Sequence, residues 1–298
     1  MLGLLAPLGV TACRPEQTSR EQLDGTVMSQ REARTRRLAR TDGIPVDQPI
    51  ARWLLPPSMA EISGLALDSA GRLFGHDDDR GRVFEIDFRG GGVRREFRVA
   101  PVADFEGLTA VGDQFYMITS NGKVYSFREG DHNRVVETAV HDLQLGRECE
   151  FEGITWDARD SSLVLPCKNV GDARDNRLVM YRWWPGRRGQ ASLSRTTTAL
   201  AATMEEHEWR EFEPTDITVD PVTGNFVLLA GRQQAIMEVS PSGDIVNVTA
   251  LPGDFAQAEG IAITRDGLLI IASEGVNGPA VVAVFRRAVA GTPGRAPR

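Results

Sequence analysis

The sequence predicts an all-β protein built as one ring of repeated four-stranded units. Glycine occurs 30 times and tyrosine only 3 times in 298 residues, and short apolar runs alternate with turn residues, which favours strands over helices. A motif in which an acidic residue precedes glycine and a short apolar strand recurs along the chain, for example in "DFEGLTAV", "EFEGITWD" and "QAEGIAIT". Four-stranded units that repeat at about 45 residues are typical of β-propeller blades.

The first element is an apolar leader at residues 1–13, which ends in Val10-Thr11-Ala12-Cys13. Its apolar run is too short to span a bilayer as a helix and fits the core of a signal peptide. The pattern before Cys13 is typical of a bacterial lipoprotein, in which this cysteine carries the lipid. The alternatives are an ordinary signal peptide or a disordered leader. The lipoprotein interpretation predicts the periplasmic side of the bacterial cell envelope, with the lipid as membrane anchor.

A polar, basic segment follows at residues 14–46 and is predicted to be a tether. Residues 47–287 are predicted to form a single propeller, and residues 288–298 a disordered tail. The net charge of −7 gives no electrostatic support for a nucleic-acid partner. A monomer is expected.

Five copies of the motif define the blades. Their glycines, replaced by aspartate in the fourth copy, are Gly64, Gly107, Gly153, Asp216 and Gly260. The long interval after the third copy contains "TMEEHEWREFE", which is predicted to add one or two helical turns. A six-bladed ring is the alternative, if that interval hides another blade.

The last copy lacks a fourth strand, and an isolated strand, "QPIARWLLP" at 48–56, precedes the first copy. We expect this strand to complete the last blade and close the ring, because closure leaves few unpaired sheet edges.

Two cysteines, Cys149 and Cys167, flank one predicted hairpin. An oxidising compartment would favour a disulfide between them. The alternative is two buried free thiols.

The first strand of a propeller blade lines the central channel, so its first residues lie at one channel mouth. The residues before the repeated glycine or aspartate are Ser63, Glu106, Glu152, Thr215 and Glu259. Two positions earlier stand Glu61, Asp104, Glu150, Glu213 and Gln257. Since residues two apart on a strand point the same way, these side chains are predicted to crowd together. We call this end of the channel the acidic mouth.

Crowded carboxylates need a compensating charge. A bound hard metal ion, Ca²⁺ before Mg²⁺ or Mn²⁺, suits oxygen ligands without histidine or cysteine. The predicted metal ligands are Glu106, Glu152, Asp216 and Glu259. The alternative is architectural: each glutamate caps backbone N–H groups or pairs with a neighbouring blade.

The second strand of each blade returns to the same mouth. It contributes the candidate catalytic residues Lys168 and Arg232, which would grip an anion, and His76, which would carry a proton. The remaining predicted ligand-binding residues are Ser63, Asp77, Asp78, Asn121, Asn169, Thr215 and Glu274.

The motifs "EISGLALD", "GRLFGHDDDRGRVFEID", "DFEGLTAV", "EFEGITWD" and "QAEGIAIT" together resemble the SdiA-regulated, YjiK-like bacterial family over about 61–287. The resemblance implies a β-propeller, an exported or membrane-attached location and a link to calcium; members carry phytase-like or esterase-like labels. The chain is also distantly similar to gluconolactonase and paraoxonase propellers. That similarity implies a catalytic metal held by Glu106, Glu152 and Glu259, with Asn121 and Asn169 approximating the asparagine ligands of those enzymes.

Two functions follow from these expectations. One is an envelope binding protein that holds Ca²⁺ and a small ligand or partner at the acidic mouth. The other is a metal-dependent hydrolase of an ester, lactone or phosphoester, in which the metal lowers the pKa of a bound water. The sequence contains no nucleophile elbow, Walker loop, zinc-ligand spacing or HExxH pattern, which argues against serine hydrolases and nucleotidases.

Overall fold

Five antiparallel sheets surround one axis, so the ring has five blades and not six. The computed structural model describes residues 47–99, 102–170, 176–187, 189–276 and 278–287. The predicted leader with Cys13, the tether and the C-terminal tail lie outside these residues. None of the helices in the described ranges is both long and apolar enough to cross a membrane.

The first blade consists of β2 (Ile62–Leu67), β3 (Leu73–Asp77), β4 (Arg82–Ile86) and β5 (Val93–Arg98). The second consists of β6 (Phe105–Val111), β7 (Gln114–Thr119), β8 (Lys123–Arg128) and β9 (Thr138–Asp142). The fourth consists of β15 (Asp216–Val219), β16 (Phe226–Ala230), β17 (Ala235–Val239) and β18 (Ile245–Ala250). In each blade the strands pair in sequence order, with the first strand nearest the axis.

The third blade differs because its innermost strand is divided in two. Its strands are β10 (Glu150–Phe151), β11 (Thr155–Asp157), β12 (Ser162–Asn169), β13 (Arg177–Trp183) and β14 (Leu193–Ala199). Both short strands pair with β12, and Gly153 lies between them at a φ of 100°, a conformation that glycine adopts readily. A 3-10 turn, Gly189–Ser192, precedes β14, and the predicted insertion forms one short helix, α1 (Ala201–Glu206).

The predicted closing strand is confirmed. The fifth blade joins β19 (Ala258–Ile263), β20 (Leu268–Ser273) and β21 (Val281–Arg286) to the N-terminal β1 (Ala51–Leu54), which a 3-10 turn, Pro57–Met59, connects to the first blade. Strand β1 runs antiparallel to β21, with Ala51 opposite Val284. N- and C-terminal parts of the chain therefore complete one sheet.

The hydrophobic core is divided into wedges between neighbouring blades. One wedge, for example, packs Phe74 and Phe97 of the first blade against Phe105 and Phe115 of the second. The wedge between the second and third blades also contains the disulfide between Cys149 and Cys167, whose Cα atoms are 5.3 Å apart. The predicted pairing of these cysteines is formed.

The aspartates that end three of the inner-strand motifs have an architectural role. Asp68 accepts hydrogen bonds from the backbone N–H groups of Ala70 and Arg72, and Asp220 accepts one from Val222. Burial raises the pKa of Asp157, but hydrogen bonds from Arg159 and Arg182 outweigh it and hold that pKa below its usual value. Repeated acids at this end of the inner strands therefore fix turns.

The five inner strands approach each other most closely at Gly64, Gly107, Gly153, Asp216 and Gly260, which we call the axial ring. A Cβ atom on Gly107 would lie 2.6 Å from the Cα of Gly153, and a Cβ on Gly153 would lie 3.0 Å from the Cα of Asp216. Backbone thus packs directly on backbone at the axis, which explains why the motif keeps glycine.

We therefore expect Gly107→Ala to lower the free energy of unfolding by about 3 kcal/mol, because the added methyl group overpacks rigid backbone. Denaturant unfolding of the two proteins measures this difference. Gly278→Ala is the matched control, since its added Cβ would meet nothing within 4 Å. Equal losses in the two variants would contradict close packing at the axial ring.

Candidate functional site: the acidic mouth

In three of the five blades, a β-bulge places one residue of the inner strand at the acidic mouth. The register of β2 with β3 shifts between Ile62 and Gly64, and the pairing of β6 with β7 shifts between Phe105 and Gly107. The same shift occurs between Ala258 and Gly260. The extra residue is always the one before the glycine: Ser63, Glu106 and Glu259. A bulge re-aims its side chain, so alternation along the strand alone does not place these groups.

The aspartate that replaces glycine in the axial ring closes the axis. Asp216 is fully buried, and its carboxylate accepts backbone hydrogen bonds from Ile217 at 2.8 Å, Ile261 at 2.9 Å and Leu65 at 3.4 Å. Burial raises its pKa well above the usual value, although these three N–H groups oppose the shift. Asp216, predicted as a metal ligand, thus binds three strands of the ring.

Each of the three mouth glutamates has a near partner. The hydroxyl of Ser63 donates to Glu106 Oε2 at 3.3 Å, and Lys168 Nζ donates to Glu152 Oε1 at 2.6 Å. Glu259 forms a side-chain hydrogen bond with Gln257, which lowers the pKa of Glu259. The glutamates nevertheless repel one another: Glu152 raises the pKa of both Glu106 and Glu259.

The acidic mouth holds protons strongly because its acids are buried and crowded. Burial first, and then repulsion from Glu152 and Glu274, raise the pKa of Glu259 to about 8. Burial and the charges of Asp78 and Glu61 raise the pKa of Glu274 to about 7. Burial raises the pKa of Glu106 and of Glu152 as well, the latter despite Lys168. These acids lack sufficient positive charge nearby.

A different set of acids from the predicted ligands comes within metal-binding distance. Within the described ranges, one group of at least three candidate ligands offers one ligand atom from each residue within 4.8 Å of the others: Glu61, Asp78 and Asp79. The predicted set of Glu106, Glu152, Asp216 and Glu259 does not form such a group, because the bulges and Lys168 hold the glutamates in separate interactions.

Asp78 is the best-placed ligand of this group. Its Oδ1 atom is buried and forms no hydrogen bond with the described residues. Burial and the neighbouring charges of Asp79 and Glu61 raise its pKa to about 6. The backbone around it is fixed, since Asp78 N–H donates to Glu61 O and Asp78 O accepts from Phe105 N–H. An oxygen that is buried, rigidly held and unpaired fits a hard cation.

Of this group, Asp78 was predicted as a binding residue, whereas Glu61 and Asp79 were not. Their signal in the sequence is the run "HDDD" at the end of β3, opposite the acidic residue that stands two positions before Ser63. The run was visible, but the sequence alone did not show which of its carboxylates meets Glu61.

His76 is buried beside the axial ring and not on the surface of the mouth. Its side chain is fully buried, its Nδ1 lies 3.1 Å from Asp77 O, and its Nε2 has no hydrogen-bond partner among the described residues. Burial lowers the pKa of His76 to about 4, so the ring is neutral at pH 7. Its catalytic role stays a prediction, and reaching a substrate would require the ring to become exposed.

The other predicted binding residues surround the mouth but contact protein groups. Asp77 is buried and accepts the N–H groups of Arg80 and Arg82, while Thr215 donates to Ala258 O. Asn169 is exposed and donates to Glu150. Asn121, also exposed, accepts from Thr119. Their ligand-binding roles stay predictions.

The two predicted anion-binding cations differ in position. Arg232 is exposed and forms ion pairs with Glu211 at 2.9 Å and Glu213 at 2.8 Å. Lys168 is half-buried and forms an ion pair with Glu152. The negative charges of Glu152, Glu150 and Glu259 raise the pKa of Lys168. Lys168 is thus the cation that faces the mouth glutamates.

No family model matches the chain, and no curated protein matches it. Several solved structures are similar to it. Myxococcus xanthus glutaminyl cyclase aligns with a TM-score of 0.56 at 14% identity, over 81% of this chain and 97% of that one. A PQQ-bound aldose sugar dehydrogenase from Streptomyces coelicolor aligns with a TM-score of 0.48 at 12% identity, over 81% of this chain and 97% of that one. A luciferin-regenerating enzyme aligns with a TM-score of 0.48 at 11% identity, over 77% of this chain and 94% of that one. At 14% identity, the likeness to the glutaminyl cyclase supports the propeller fold alone.

The raised pKa values predict how stability depends on pH. Between about pH 6.5 and 8, the folded protein binds more protons than the unfolded chain, because folding raises the pKa of Glu259 to about 8 and that of Glu274 to about 7. The free energy of unfolding should therefore fall as pH rises through this window. The lowered pKa of His76 affects the free energy of unfolding mainly below pH 6.5.

Denaturant unfolding of the chelator-treated protein across this window measures the slope. Glu152, whose pKa is also raised to about 7, titrates in the same window, and Glu259→Gln removes one of these titrating groups and should flatten the slope. A slope that is unchanged in this variant would show that the mouth glutamate does not titrate as its surroundings require.

Proposed function

We propose that this protein is an exported β-propeller whose acidic mouth binds a hard divalent cation, Ca²⁺ first, and a small ligand or partner beside it. The observation that carries the proposal is the group of Glu61, Asp78 and Asp79, in which one ligand atom of each residue lies within 4.8 Å of the others. Asp78 also has a buried oxygen, Oδ1, without a hydrogen-bond partner among the described residues. Oxygen donors without nitrogen or sulfur favour Ca²⁺, Mg²⁺ or Mn²⁺ over zinc or copper.

Charge supports the same proposal. Asp78 and Glu61 of this group raise the pKa of Glu274, and Glu274 in turn raises the pKa of Glu259. The positive charge of Lys168 lowers the pKa of both Glu259 and Glu274 but does not cancel the upward shift. A bound divalent ion would offset the repulsion of these acids, so the ionised mouth would no longer oppose folding above neutral pH.

Calcium titration of the chelator-treated full chain, followed by calorimetry, tests the proposal. We expect saturable binding, because three carboxylates converge on one point. The double variant Asp78→Asn/Asp79→Asn should weaken it by at least about tenfold, since changes even outside the ligand shell of metal sites cost that much. Glu106→Gln/Glu259→Gln distinguishes this group from the ligand set predicted from sequence.

Asp113→Asn is the matched control, because Asp113 is an exposed acid in the turn between β6 and β7, at the other end of the inner strands. Binding that is absent, or equal in all variants, would leave the mouth acids with an architectural role.

A metal-dependent hydrolase is the second candidate, and one observation favours it. Glu274 and Glu259 have pKa values of about 7 and about 8, which suit proton transfer at neutral pH. A bound metal would supply a more acidic water, and Lys168 would attract an anionic substrate. Turnover of aryl ester, lactone and phosphoester probes that requires added metal and Glu259 would establish it.

The proposed location is the periplasmic side of the envelope, with Cys13 lipidated. The buried Cys149–Cys167 disulfide supports an oxidising compartment. We expect the wild-type chain, expressed in a bacterium with lipoprotein processing, to fractionate with membranes.

Cys13→Ser should release the chain into the soluble fraction, because a lipid on this cysteine would be its anchor. Cys149→Ser is the matched control, since it removes a cysteine that carries no lipid in this proposal. Membrane association that persists in Cys13→Ser would contradict the anchor.

A further inference from the structure

A cavity of about 650 Å³ lies at the opposite end of the inner strands from the acidic mouth. Its floor is formed by the aliphatic residues that directly follow four positions of the axial ring: Leu65, Leu108, Ile154 and Ile217. All four are almost completely buried. The axial ring lies between this cavity and the mouth, with the fully buried Asp216 carboxylate at its centre, so the two sites are separate.

Three threonines project hydrogen-bonding groups into this cavity. Thr109, Thr155 and Thr218 stand two positions after the axial ring in three consecutive blades, and all three line the cavity. None of their hydroxyls forms a hydrogen bond with another described residue, although Thr109 and Thr155 are buried. None of the three hydroxyl oxygens is among the buried side-chain atoms that lack a partner, so they are accessible. We call the cavity the threonine funnel and treat these groups as available to a ligand.

The rim adds an aromatic surface and a positive charge. Trp156 lines the funnel, is half-buried, and its indole N–H has no partner within the described part of the chain. Arg265 is exposed at the rim and forms no ion pair there with a described residue. Arg89, by contrast, is paired with Asp266 at 3.2 Å. The groups without partners are thus three hydroxyls, which can donate or accept, one indole N–H donor and one cation.

We propose that the threonine funnel binds a small aromatic carboxylate. Its apolar ring would rest on the aliphatic floor and against Trp156. Its acceptor oxygens would receive hydrogen bonds from the threonine hydroxyls and from Arg265. The volume suits a molecule of one or two fused rings, since small-molecule sites enclose about 300–1,000 Å³ and combine apolar walls with a few polar groups. The charge preference is opposite to that of the acidic mouth.

Calorimetric titration of the full chain with 2-naphthoate tests the proposal, with 2-naphthalenemethanol as the uncharged analogue and 2-naphthylmethylammonium as the cationic one. We expect saturable one-to-one binding of the carboxylate and weaker binding of the cation. Arg265→Gln should weaken 2-naphthoate by about tenfold, the worth of a charged hydrogen bond, and leave the alcohol unchanged. Arg265 is exposed, so this variant should fold.

Thr218→Val keeps the shape of the side chain and removes only the hydroxyl, so it should weaken both the carboxylate and the alcohol. Asp78→Asn, at the acidic mouth, should change neither, which separates this site from the proposed metal site. The proposal is overturned if 2-naphthoate does not saturate the protein, or if its affinity is the same in Arg265→Gln and Thr218→Val as in the wild-type chain.

Discussion

The close contact of five inner strands at the axial ring is the constraint on which the rest of the structure depends. Glycine backbone meets glycine backbone there, and a Cβ on Gly107 would lie 2.6 to 2.7 Å from backbone atoms of the next blade. At the one position without glycine, the Asp216 carboxylate accepts three backbone hydrogen bonds from strands of the ring. The blades can close into a ring only if these strands approach each other this closely.

Closure of the axis also separates two sites of different chemistry, the acidic mouth and the threonine funnel. On one side, bulges place the glutamates among a surplus of acids that raises their pKa values. On the other side, aliphatic side chains and unpaired threonine hydroxyls surround a cavity with a cation at its rim. A buried carboxylate with three N–H donors lies between the two. The same inner strands therefore supply a cation-attracting surface at their first residues and a donor-rich apolar surface at their last.

The sequence predicted the fold more fully than the site. Repeat spacing identified the five blades, and the missing fourth strand of the last copy identified β1 as the closing strand, because these features depend on hydrophobic pattern and edge pairing. The metal ligands could not be predicted from the repeat pattern in the same way. The repeat alignment grouped Glu106, Glu152 and Glu259 at one equivalent position, but bulges at Glu106 and Glu259 and the ion pair of Glu152 with Lys168 give them separate partners. The return of β3 instead brings Asp78 and Asp79 to Glu61. Bulge geometry and loop approach are tertiary properties that one sequence does not reveal.

The central claim is that the acidic mouth holds a hard cation at Glu61, Asp78 and Asp79. The most direct test is a crystal structure of the full chain grown with Mn²⁺, which binds oxygen ligands as Ca²⁺ does and scatters anomalously. We predict an anomalous peak bonded to carboxylate oxygens of this group, including the unpaired Oδ1 of Asp78. An empty mouth in crystals saturated with the metal would contradict it.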